Sequence, residues 1–130
     1  MIEAKARPLS PHIQVYKPQL TSFMSILHRI TGVVLSFGIV VLVAWLAALA
    51  DGAEAYADFI TCAQSLVGQV ILFGLTAALF YHLCNGIRHL MWDSGAGLDI
   101  RTAYKTGYAV LAVATLLTAL VWLCTYGVFS

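Results

Sequence analysis

The chain has 130 residues, 61% of them hydrophobic and 10% charged, with a mean hydropathy of +0.87. A water-soluble domain carries about 25% charged residues, so this composition excludes a water-facing globule and points to lipid. A net charge of +1 gives no reason to expect nucleic acid as a partner.

The first stretch, Arg7-Pro8-Leu9-Ser10-Pro11-His12 through Tyr16-Lys17-Pro18, is punctuated by proline and has no continuous apolar core. It lacks the apolar h-region of a secretory signal and the Arg- and Ser-rich, acid-poor character of a transit peptide. The backbone there is expected to be extended. Residues 1–24 are therefore read as a cytoplasmic N-terminal arm lying on a membrane-peripheral partner, with a disordered tail as the alternative. A working sequence that starts almost at Met1 favours a bacterial inner-membrane protein.

Three uncharged runs follow: Ile30 to Ala50 (21 residues), Phe59 to Ile87 (29) and Thr106 to Ser130 (25). At a rise of about 1.5 Å per residue each spans ~31 Å or more, enough to cross the hydrocarbon core. Backbone groups in lipid must be satisfied within their own segment, so the runs are helices. The expected fold is an all-α membrane protein with three transmembrane helices, roughly 25–50, 59–92 and 104–129, within a 25–130 domain. A polar link with Asp51, Glu54 and Asp58 separates the first two. Small residues four apart, Gly32/Ser36 and Gly74/Ala78, and a cluster of Ala109, Ala112 and Val113, mark candidate packing faces. Three such helices can pack alone or as part of a heteromeric bundle.

All seven basic residues fall on one side: Lys5, Arg7, Lys17 and Arg29, then Arg88, Arg101 and Lys105. The positive-inside rule puts the N-terminus in the cytoplasm and the C-terminus in the periplasm. The three cysteines, Cys62, Cys84 and Cys124, lie in apolar runs and read as packing residues rather than disulfides.

On the first helix Ser25, His28, Arg29 and Gly32 fall at i, i+3, i+4 and i+7, on one face at the cytoplasmic boundary. A hydroxyl and a guanidinium four apart suit the oxygens of a quinone ring, and arginine also pairs with carboxylates such as haem propionates. A snorkelling Arg29 that marks the helix end is the plainer alternative. On the second helix His82 lies inside the charge-free run, ~9 Å deeper than Arg88 by helical rise. An imidazole at that depth either binds a cofactor or bonds across to a neighbouring helix. Gly86, one turn on, would leave room for a flat macrocycle, and His89 follows on the same face nearer the cytoplasm. Histidine is a common axial ligand of haem iron. His28 sits too near the boundary to be a natural second ligand, so a ligand from another chain is the economical expectation.

These segments (Arg7-Pro-Leu-Ser-Pro-His12, Ser25-Ile-Leu-His-Arg29 with Thr31-Gly32, and His82-Leu-Cys-Asn-Gly-Ile-Arg-His-Leu-Met-Trp-Asp93) resemble the cytochrome b large membrane-anchor subunit of succinate dehydrogenase, respiratory complex II. Lys17 stands where that family often has arginine. The resemblance implies a subunit of succinate:ubiquinone oxidoreductase. It implies one haem b, with His82 binding the iron and the other axial ligand supplied by a small membrane-anchor subunit. It further implies His28, Arg29 and His89 near the propionates, and Ser25 and Arg29 at the ubiquinone site beside the iron-sulfur subunit. The flavin and succinate chemistry would belong to a flavoprotein subunit, leaving this chain no catalytic residue of its own. A small transporter subunit is disfavoured because no charge lies deep in any span. A cofactor-free scaffold is the other alternative.

Overall fold

The computed structural model describes residues 17–128, all-α, in four helices. The Arg7–His12 motif, Lys5 and most of the expected N-terminal arm lie outside the described residues. Helix α1 is Leu20–Asp51, α2 Ala53–Gln64, α3 Leu66–Asp93 and α4 Ile100–Val128. Three of them, α1, α3 and α4 as far as Gly127, are long and apolar enough to cross a membrane. Apolar side chains such as Phe37, Leu66, Leu116 and Leu123 lie exposed along them, as lipid-facing surfaces require.

Helix α1 begins five residues before the expected position. Leu20 and Met24 explain this: Met24 is fully buried in a cluster with Tyr81, Val110 and Ala114, and Leu20 packs against it. The first turn closes with Phe23 N donating to Gln19 O at 3.0 Å. The helix stops at Gly52, whose φ of +116° is open only to glycine.

The second expected helix, roughly 59–92, is corrected to two. Glu54, Asp58 and Phe59 to Gln64 form α2, so the expected polar link is itself mostly helical. The break is at Ser65, whose extended backbone ends α2. Its Oγ donates to Cys62 O at 2.7 Å and accepts from Gly68 N at 3.1 Å, capping α3. Gly68 must be glycine here, because a Cβ would collide with the carbonyls of Cys62 and Ala63. None of these residues is charged, so a count of charge-free positions runs straight through the break.

Helix α3 is the central element, packed against both α1 and α4. It ends in a turn with Gly95 and Gly97 at positive φ, closed by Trp92 Nε1 donating to Gly97 O at 3.2 Å. Asp99 caps α4, its Oδ1 accepting from Thr102 N at 2.9 Å. These hydrogen bonds, with the Thr102 hydroxyl first, hold the Asp99 carboxyl below its ordinary range.

The buried stripe of α4 is Gly107, Val110, Ala114 and Thr118. The expected cluster of Ala109, Ala112 and Val113 lies on the exposed side instead. Gly107 decides this: a Cβ there would sit 3.0 Å from Met24 Sδ, so α4 approaches α1 on that side. Ala78 is buried, whereas Gly74 is exposed.

Candidate functional site

Helices α1 and α3 run antiparallel and bring His28, His82 and His89 together. The His28 and His82 rings stack at 3.9 Å with an 11° interplanar angle, and His89 tilts against His28 at 5.1 Å. Gly32 permits the approach, since a Cβ on it would lie 3.2 Å from His82 Cε1. The stretch between His28 and Gly32 thus forms the wall on which His82 rests.

One nitrogen of His82 is engaged with that wall. Its Nδ1 lies 3.2 Å from His28 O and 3.2 Å from Thr31 Oγ1. The Thr31 hydroxyl donates to Leu27 O and His28 O, both at 2.9 Å. A hydroxyl that donates to carbonyls can only accept from the imidazole, and a carbonyl can only accept. Nδ1 therefore carries a proton, and in the neutral ring Nε2 has the lone pair. A backbone carbonyl that fixes the tautomer in this way is the usual support for a metal-bound histidine.

Two further properties bear on a ligand. Nothing lies within 4 Å of where a Cβ on Gly86 would sit, among the described residues. His28 Nδ1 is buried without a hydrogen-bond partner among them.

Ser25 and Arg29 face elsewhere. With Thr21, Ser22, Ile26, Arg88, His89 and Trp92 they line a cleft of about 380 Å³ at the base-bearing end of the bundle. Arg29 Nη2 donates to Ser25 Oγ at 3.4 Å, a long bond, and Arg29 is exposed. The expected single face of Ser25, His28, Arg29 and Gly32 is thus divided between two surfaces. His28 and Gly32 meet His82, while Ser25 and Arg29 open into the cleft. His89 belongs to both, lining the cleft and touching the His28 ring.

Sequence reasoning passed over four contributors. Thr31 and Asn85 are polar but short and unremarkable in apolar company. Tyr81, whose hydroxyl donates to Met24 O at 2.8 Å, ties α3 to α1. Arg88 reads from sequence as a boundary charge, yet it is only 4% exposed.

Residues 3–121 match the family described as succinate dehydrogenase/fumarate reductase transmembrane subunit. The chain belongs to this family. Among similar proteins, the succinate dehydrogenase cytochrome b556 subunit of Rickettsia conorii is 43% identical over 116 residues, covering 89% of this chain and 90% of its own length. That of Paracoccus denitrificans is 46% identical over 116 residues, 88% of each chain. The mitochondrial succinate dehydrogenase cytochrome B subunit of Schizosaccharomyces pombe is 40% identical over 115 residues, covering 85% of this chain and 64% of that one. The matched span of the transmembrane subunit family takes in the histidine cluster and the cleft, and three apolar helices agree with its description.

Proposed function

We propose that the chain is the membrane-anchoring cytochrome b subunit of succinate:ubiquinone oxidoreductase (EC 1.3.5.1). In this reading it holds one haem b jointly with a small membrane-anchor subunit and helps form the ubiquinone site beside the iron-sulfur subunit. Succinate oxidation belongs to the flavoprotein subunit. The observation that carries the reading is the pair of 3.2 Å contacts that engage His82 Nδ1 with His28 O and Thr31 Oγ1, which leaves Nε2 to bind iron.

The residues present fit the group. The open space at Gly86 suits a flat ring, and the orphan His28 Nδ1 awaits a partner from outside the chain. The ring stack also supports an off-chain second ligand. The His28 and His82 rings stack face to face with centroids 3.9 Å apart, so His82 would hold the iron without His28 as its counterpart. Bound haem supplies one-electron chemistry at membrane depth.

The chain's own residues then divide the work. His82 would hold the iron, and Thr31 and the His28 carbonyl orient its ring. His28, Arg29 and His89 serve the propionate side. In the cleft, Ser25 donates its hydroxyl to a quinone oxygen, and Arg29 stabilises the charge that develops there as electrons arrive. The basic end faces the cytoplasm and the opposite end the periplasm, in a bacterial inner membrane.

Absorption spectra of the purified complex test the ligand. His82→Ala should abolish the normal b-type signal, and retention of that signal refutes the assignment. Arg29→Ala should depress quinone reduction while succinate oxidation by an artificial acceptor continues. Equal activity in both assays would reduce Arg29 to an interfacial anchor.

A further inference from the structure

Arg88 is a buried cation on the wall of the Ser25/Arg29 cleft. Its guanidinium is fixed on several sides. Nε donates to Thr106 Oγ1 at 3.1 Å, Nη2 to Ala103 O at 2.7 Å and Nη1 to Asn85 Oδ1 at 3.4 Å. Its Cζ lies 4.0 Å from the Trp92 ring centroid. Every one of these partners is neutral. Among the described residues, no carboxylate bonds to it. Arginine cannot shed its proton, so the charge is permanent, and the Ala103 carbonyl is the kind of partner that holds such a charge in a membrane bundle.

Asn85 is the telling neighbour. It is fully buried, and its Nδ2 has no hydrogen-bond partner. An aspartate of the same shape would form a salt bridge with Arg88 and leave no unsatisfied donor. An unsatisfied buried donor is destabilising. The chain therefore keeps a neutral amide where a carboxylate would satisfy the local bonding better.

We propose that Arg88 is a permanent positive charge, without a carboxylate partner among the described residues, that favours electron uptake at this site, and that Asn85 is neutral so that the charge is not quenched from within the helix. The proposal rests on the reading of His82 and the cleft given above. Six helical positions separate Arg88 from His82, an axial distance of ~9 Å. An arriving electron adds negative charge, and a cation held rigidly by fixed hydrogen bonds stabilises it without reorganising. Arg29 differs, being exposed and held by one long bond. It is suited to contact a substrate directly, whereas Arg88 sets the potential in which the substrate sits.

The test is a redox titration of the b-type absorption in the purified, assembled complex. Asn85→Asp leaves the Arg88 hydrogen bonds in place and puts a carboxylate, ionised beside the guanidinium, where it cancels the charge. Its midpoint potential should fall while its thermal stability equals or exceeds that of the unaltered complex. Arg88→Gln should lower the midpoint as well, and Arg88→Lys should largely restore it. A purely structural Arg88 predicts no shift in Asn85→Asp, and that result overturns the proposal. Failure of Asn85→Asp to assemble counts against it too. If the unaltered complex is colourless, the haem reading falls and this proposal with it. Haem that is present with an unmoved midpoint removes this proposal alone.

Discussion

Gly32→Ala probes the contact on which the His82 geometry depends. The new Cβ would lie 3.2 Å from His82 Cε1, whereas carbon atoms rest at about 3.5–4.0 Å. The imidazole must therefore retreat by about 0.3–0.8 Å. Its Nδ1 contacts to His28 O and Thr31 Oγ1 are already 3.2 Å long, so a retreat of that size breaks or badly weakens them. Overpacking costs about 1–3 kcal/mol, and alanine returns up to about 1 kcal/mol of helix propensity. The net loss of stability is about 0–2 kcal/mol, small enough for the protein to assemble. The spectroscopic effect should be the larger one, because a ligand must be held within about 0.5 Å. Optical spectra and redox titration of the purified complex, beside a thermal melt, measure both. A Gly32→Ala complex with unchanged band positions and an unchanged midpoint refutes the argument that this wall orients His82.

Gly86→Ala should be harmless to the chain's own packing, since a Cβ meets only open space there. A fall in the haem-to-protein ratio without loss of helix content would report a group that enters from outside. Tyr81→Phe removes the 2.8 Å bond to Met24 O and should cost about 0.5–1.5 kcal/mol, read as a lower melting temperature with unaltered spectra. The Asp99 cap predicts a pH effect. Its folded pKa is lowered by Thr102, so its contribution is fully present above the unfolded value, about 3.9, and is lost as pH falls through the folded one. Amide exchange in the first turn of α4 should accelerate in that acid range, and Asp99→Asn should flatten the dependence.

The membrane spans were legible because lipid imposes one simple demand, the absence of charge over a sufficient length. The break at Ser65 was not, because a hydroxyl cap and a close glycine carry no charge. Likewise His82, Ser25 and Arg29 stood out by residue type and depth. Their division between two surfaces did not, because it depends on how α1 is rotated against α3. Thr31 shows why: only the antiparallel register puts its hydroxyl beside a histidine 51 positions away. Arg88 was visible as a charge, but its burial comes from Gly107 and Thr106 on α4, which arrive from another part of the chain.

The Ser65 cap has a consequence at the far end of its helix. It works as the zero mark of a ruler. From Ser65 to His82 is 17 residues, so the cap fixes the histidine ~26 Å along the α3 axis. Each residue also carries about 100° of rotation, so the same mark sets the bearing of the imidazole. One residue inserted between Gly68 and His82 would shift its height by only ~1.5 Å but swing it about a quarter turn away from Thr31. A one-residue break on one side of the bilayer thus aims a side chain near the other.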